Sequence, residues 1–494
     1  MTDRPVTYAE FRRAVSAYRP ASILQGLARH SALSFNRPHQ RMHPVDPLLP
    51  WAVSILAREV LTAPGKSTQK SPDRRPATDS DLRRLGALAI ALQDPLTVES
   101  DTPNAVESFA IRAAYQQLMF QEPFFHDMAR MRPMFERPFP APRFEVLSAQ
   151  SLHDVLGCSV SVFVDSGPFF VAAAMKNAGR FDPAWLHGPQ FKEVRSRIDI
   201  AELLEVFSTA WAAPWAELRS EAIRTRSPNA QLRQYDWNPF LGRPFVELGD
   251  GQYLAPQAWY VAMRVGPSAV YYLGVDKYDD AWANAWTRDL GLAHEDYIRL
   301  QLHQLEPAAS VYGEFEYNTK KGSGMTVDAI VVHDDVVVLV EAKSTRARLD
   351  SRHTFAAYTD NLQRDLRRAF KEIAKTANMI RDHHPSLGDA ILDDRPLCGL
   401  IITPEPLWLA NNAQFTAGYP DPTVPTSLVS LRELEDFVAY GREDRRGTVW
   451  LDATTPDENG NRDPHAALYR HQQSRKETPQ NPLLKEAFDA GAWK

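Results

Sequence analysis

Cysteine is almost absent from this chain: Cys158 and Cys398, far apart, are the only two in 494 residues. That excludes a disulfide framework and a thiolate metal site, and it fits a reducing cytoplasm, the expected location. Long apolar runs are missing too, so no stretch is expected to cross a bilayer and no membrane partner is expected. The amino terminus, Met1-Thr2-Asp3-Arg4-Pro5, lacks the apolar core of a signal peptide. Charge of one sign is not in excess. A formal net charge of −6 gives no global attraction to a polyanion, so contact with nucleic acid has to come from local cation patches. Several familiar signatures fail on spacing. No Gly-Lys-Ser/Thr run precedes a helix, and Gly249-Asp250-Gly251 is too short for a dinucleotide fingerprint. His294-Glu295 has Ile298 where the second histidine of a zinc protease would stand, His383-His384 has no matching ligand run, and no serine-centred elbow occurs. No internal repeat is visible.

What is present is chemistry in one hairpin. From Val327 to Lys343 the chain reads Val-Asp-Ala-Ile-Val-Val-His-Asp-Asp-Val-Val-Val-Leu-Val-Glu-Ala-Lys. Two β-rich runs, Val327 to Val332 and Val336 to Lys343, flank His333, Asp334 and Asp335, which predicts an antiparallel hairpin. With Asp334-Asp335 as a two-residue turn, His333 pairs with Val336 and Asp328 falls opposite Glu341, their Cβ atoms roughly 5 Å apart. Side chains alternate along a strand, so Glu341 and Lys343 share a face and Ala342 takes the other. Like charges facing each other in an apolar sheet destabilise it unless something compensates, and a divalent cation with a nearby ammonium does so. Oxygen donors without cysteine or clustered histidine favour magnesium, or manganese in its place, over zinc. The bland alternative is a structural Glu341–Lys343 pair with Asp328 at the solvated mouth of its strand.

The surroundings extend the pattern. Residues 281 to 305 carry a helical stripe of Trp282, Trp286, Leu290, Ala293, Tyr297 and Leu300, and Glu295 interrupts a second apolar face. A strand is expected over Val311 to Tyr317, then a loop from Asn318 to Gly324 in which Lys320 and Lys321 are candidate phosphate contacts. Beyond Lys343, Phe355, Tyr358, Leu362, Leu366, Phe370, Ile373, Ala377 and Ile380 mark a long helix. Arg364, Arg367, Arg368, Lys371 and Lys375 form a cationic stripe on it that suits a polyphosphate backbone, with Gln363 at its flank. Leu397 to Thr403 reads as a buried strand. Ser430-Leu431-Arg432-Glu433 is a capping box opening a last helix with Leu434, Phe437 and Val438 inside.

Helix, three strands, helix and strand, with Asp328 on the second strand and Glu341-Ala342-Lys343 on the third, resembles the PD-(D/E)XK nuclease superfamily over roughly residues 281 to 445. The resemblance implies a restriction-endonuclease-like mixed sheet flanked by helices. It implies that Asp328 and Glu341, with the carbonyl of Ala342, bind catalytic magnesium, and that Lys343 orients or activates water. Leu290-Gly291-Leu292-Ala293-His294-Glu295 is similar to the family's first-helix motif, which assigns Glu295 to the site. Gln363 is similar to a glutamine of RecB-like members; Arg367 stands where their tyrosine is found, and Val327 stands in place of the namesake proline. The activity implied is phosphodiester hydrolysis, with DNA favoured over RNA, in a setting of bacterial defence, restriction or repair. A second reading is a nuclease-like binding or assembly protein without turnover.

The expected class is thus α/β, with a mixed-sheet core behind a mainly α-helical region. At this length more than one domain is expected. Residues 1–240 are expected to be mainly helical and to recognise substrate, a second copy of the chain or a protein partner. Amphipathic stretches there run over Tyr8 to Leu27, Leu48 to Leu61, Asp81 to Leu92, Ala105 to Met119 and Ile198 to Ile223. The aromatics Phe109, Tyr115 and Phe124 are expected in the core. Residues 241–280 read as a short-strand bridge, 281–445 as the nuclease-like domain, and 446–494 as a polar tail ending in a short helix.

Overall fold

The computed structural model describes residues 4–35, 46–63, 74–97, 104–121, 124–249, 251–278, 280–319, 322–387, 391, 394–417, 419, 424–473 and 478–491. They form a mixed α/β chain of two units. One comprises Met1–Pro140, Val146–Ala283 and Ala490–Lys494; the other comprises Ala141–Glu145 and Asn284–Asp489.

The first unit is mainly helical. Proline decides where several expected helices divide, because its ring fixes φ and removes a donor. The stretch Tyr8 to Leu27 splits into Tyr8–Ser16, opened by a Thr7 capping box, and Pro20–Phe35. Ile198 to Ile223 splits into Ile200–Val206, a π turn Phe207–Trp211, a short strand Ala212–Pro214 and the helix Trp215–Arg224. The expected bridge belongs to this unit: Phe245–Gly249 and Gln252–Leu254 join Arg180–Phe181 and Ala212–Pro214 in a four-stranded sheet, and helices Ala258–Met263 and Pro267–Lys277 follow. Phe109 is 38% exposed, against expectation, whereas Phe124 is buried. The residues Ala149–Lys176 correct another expectation, being apolar and long enough to cross a membrane by composition. In the fold they are two core helices, Ala149–Leu156 and Val160–Lys176. The second buries Phe163 and Phe170 against Trp211.

The second unit is built on a five-stranded mixed sheet in the order Thr426–Ser430, Leu397–Thr403, Val337–Ala342, Ala329–Val332, Ser310–Tyr312. The first three strands run parallel to one another and the last two pair antiparallel. Every residue of Val337–Ala342 is buried, as expected of a central strand covered on both faces. A parallel crossover needs a long connection, and the helix Phe355–Arg381 supplies it, burying Tyr358, Leu362, Leu366, Phe370, Ile373 and Ile380. The Ser430 capping box is present, with Ser430 Oγ accepting from the Glu433 amide at 3.3 Å. In the helix Asp280–Leu302 the centre of the expected stripe is buried at Trp286, Ala293 and Tyr297, while Trp282 and Leu300 at its ends are exposed.

Two expectations fail in this unit. The strand expected over Val311 to Tyr317 breaks at Gly313, and the expected loop is a separate hairpin of Glu316–Thr319 and Gly322–Met325. The polar tail has its expected terminal helix, Pro482–Asp489, but Thr448–Thr454 and Pro464–Gln473 are helices as well. A few well-spaced contacts hold it. Trp450 stacks on Phe437 at 5.1 Å, and Asn481 donates to Gln301 at 2.7 Å and to the Glu435 carbonyl at 3.0 Å.

Candidate active site

The hairpin fixes the site's register. His333 N–H donates to the Val336 carbonyl at 2.9 Å across the Asp334-Asp335 turn. The ladder then runs Val332 with Val337 out to Ala329 with Val340. One step further puts Asp328, just ahead of its strand, opposite Glu341, as the pattern of the sequence predicts. A short bond locks this step, from the Ala342 amide to Asp328 Oδ2 at 2.6 Å. Lys343 lies two residues beyond Glu341 and makes an ion pair with it.

Three further carboxylates act on this pair. Glu295 comes from the helix Asp280–Leu302 and Glu314 from the segment between the edge strand and the small hairpin. Burial, then the charge of Asp328, pushes Glu295 up to about 7, with Glu314 adding and Arg299 and Arg143 opposing. Glu314 is raised as well, by partial burial first and then by the charge and hydrogen bond of Asp328. Glu341, only 5% exposed, is pushed up to about 8 by burial and by Asp328, against the pull of Lys343, with Glu372 also contributing. Carboxyls raised together in one place mark negative charge that is partly buried and only partly offset by Lys343, Arg299 and Arg143.

The helix Phe355–Arg381 sets one wall. Asp365 accepts from the Thr345 hydroxyl at 2.6 Å, and Glu372, two turns on, shares that face. Gln363 is placed on the opposite flank of the buried stripe, away from the carboxylates. Arg364, Arg368, Lys371 and Lys375 form an exposed row beside Asp365 and Glu372. Two of its ends are engaged: Arg364 pairs with Asp365 at 3.2 Å, and Lys375 pairs with Glu372 at 3.1 Å and lies 4.8 Å above the Tyr317 ring. Arg367, also exposed, lies further round the helix. Lys320 and Lys321 fall outside the described residues.

The sequence pattern singled out Glu295, Asp328, Glu341 and Lys343, with Arg299 as a helix neighbour of Glu295, and missed Glu314, Glu372 and Arg143. Arg143 is the least foreseeable: it joins Asp296 at 2.6 Å from a position 153 residues away. Glu314 had a weak signal, a carboxylate beside Gly313 between the aromatics Tyr312 and Phe315.

Among the described residues no three His, Cys, Asp or Glu side chains gather as a ready metal cage. Asp328, Glu341 and Glu295 therefore do not form such a cage; what links them is charge, with Asp328 helping to raise both Glu341 and Glu295. In charge alone these residues would suit a hard divalent ion such as magnesium, since a cation among them would offset the burial and the Asp328 charge that raise Glu341 and Glu295. No protein-family model matches the chain, and no curated protein matches its sequence.

Proposed function

We propose that the chain is a magnesium-dependent nuclease, with DNA as its favoured substrate, and that its second unit is a restriction-endonuclease-like core. The observation carrying this reading is the register that sets Asp328 opposite Glu341, with Lys343 two residues on and Glu295 within electrostatic reach. Asp328, Glu341, Glu295 and the Ala342 carbonyl would hold the ion. Magnesium bound there supplies a Lewis acid for a phosphoryl oxygen and a bound water of lowered pKa. Lys343 contributes a compact cation where charge develops on the phosphate, and its ion pair with Glu341 fixes where that cation stands. The row Arg364, Arg368, Lys371 and Lys375 offers the substrate backbone a cationic track beside the acids.

The closed Glu341–Lys343 pair favours a second reading, a nuclease-like binding protein without turnover. Labelled single- and double-stranded DNA and RNA, offered with magnesium, manganese or chelator, separate the two. Metal-dependent cutting by the parent is expected, falling by about a thousandfold or more in Lys343→Ala and Glu341→Ala. A folded parent that cuts none of these substrates, or Glu341→Ala cutting as well as the parent, overturns the nuclease.

A further inference from the structure

Five arginines of the first unit are buried among the described residues: Arg58, Arg112, Arg130, Arg132 and Arg264, none more than 8% exposed. Four of them meet a carboxylate. Arg58 reaches Asp236 at 2.8 Å, Arg112 reaches Asp94 at 2.6 Å, Arg130 reaches Asp127 at 2.5 Å and Arg132 reaches Asp165 at 2.9 Å. Arg264 is the exception. Its Nε donates to the Ala210 carbonyl at 2.6 Å, and its buried Nη2 has no partner among the described residues. Asp276 and Glu221 act on it only as distant charges, and a second cation, Arg243, outweighs either of them. Arg243 is itself thinly held, by one long bond of 3.4 Å to the Gly242 carbonyl.

A guanidinium taken out of water without a counterion is costly, and a second guanidinium nearby adds to the cost. A neutral carbonyl satisfies one N–H and leaves the charge unbalanced. Ala210 lies in the π turn Phe207–Trp211, a kind of irregularity that recurs at functional sites. The neighbouring Trp211 also has a buried indole N–H without a partner among the described residues. Donors accumulate here, and among the described residues no carboxylate touches Arg264: Asp276 and Glu221 act on it without contact, against the charge of Arg243. A buried water would accept a hydrogen bond but would not neutralise the charge.

We propose that Arg264 and Arg243 form a binding site in the first unit for a small oxyanion, phosphate or carboxylate in class. Such ions match the planar donor fork of arginine. The site is independent of the nuclease reading, because its chemistry is opposite in sign to that of the carboxylate cluster.

Thermal unfolding and calorimetric titration of the full chain test it, at constant ionic strength, with sodium phosphate, acetate or chloride as the added salt. The parent's Tm is expected to rise with phosphate or acetate concentration by mass action, and the better of the two names the class. Arg264→Met should lose that response and should unfold no lower than the parent in chloride, since it removes an unbalanced buried charge. Arg243→Gln should weaken phosphate binding about tenfold and leave the buried group in place. A parent indifferent to both oxyanions, a chloride response equal to theirs, or an unchanged response in Arg264→Met overturns the site. Should Arg264→Met fail to fold, Arg243→Gln decides, and an undiminished response there overturns it equally.

Discussion

Arg58, Arg112, Arg130 and Arg132 in the first unit are buried with a carboxylate in contact. In the second unit Glu295, Glu314, Asp328 and Glu341 gather against one another, and Lys343 is the one cation in contact with Glu341 among the described residues. These two sets of residues thus hold charge under opposite rules. Where every charge has its counterion, the network can be explained by folding alone. Where like charges are held together by a strand register and a backbone hydrogen bond, folding alone would have selected against them. Under the nuclease reading, a bound cation would offset that surplus of one sign. Arg264 matters for the same reason, as the place where the first unit departs from its own rule.

The largest expected effect breaks a compensated pair. Arg112→Met leaves Asp94 buried, with Tyr235 still donating to it at 2.7 Å but without its ion pair. A loss of about 3–5 kcal/mol in denaturant unfolding is expected. Adding Asp94→Asn should recover most of it, because the stranded charge rather than the lost contact dominates. A single-variant loss below about 1 kcal/mol would mean that this network is not holding the unit together.

The same substitution logic should reverse sign in the second unit. Glu341 has its carboxyl raised from 4.5 to about 8, so the folded chain holds that proton more tightly than the unfolded chain does. Its stabilising contribution is therefore full below about pH 4.5 and is lost as pH rises through about 8. Without metal, Glu341→Gln should flatten this dependence and be more stable than the parent above pH 8, by on the order of 1–3 kcal/mol. Added magnesium should restore the parent and leave the variant unmoved. A parent whose metal-free stability is flat from pH 5 to 9, measured by urea unfolding, would remove the argument for crowded carboxylates.

How much of this the sequence carried depended on distance along the chain. The Asp328–Glu341 pairing was legible because a two-residue turn and the period of a strand fix register locally, and the chain obeys both. The Ser430 cap was legible for the same reason. Arg143 was not, since its place beside Asp296 is made by tertiary folding across 153 residues. The carboxyl-terminal helices were hidden by composition. Val449, Trp450, Ala453, Ala467 and Leu468 are few among polar neighbours, yet they fall where a helix can bury them. The small hairpin at Glu316–Thr319 and Gly322–Met325 was hidden by its glycines, which read as loop although strand pairing needs only backbone groups.

The smallest effect separates two residues of one helix. Glu372 stands nine residues after Gln363, and at 100° per residue that is about 180° round the helix. Glu372 consequently faces Glu341, and its charge helps to raise that carboxyl, whereas Gln363 faces elsewhere. Under the nuclease reading Gln363→Ala should change cleavage by less than about twofold, since no transition-state contact is removed. Glu372→Gln withdraws a like charge from Glu341. The carboxylate then ionises at lower pH, and the acid limb of the cleavage profile should shift downward by about a few tenths of a pH unit. The direction of that shift is diagnostic. A residue that merely holds the helix in place would lower the rate at every pH, while one acting through Glu341's charge moves the limb and leaves the plateau.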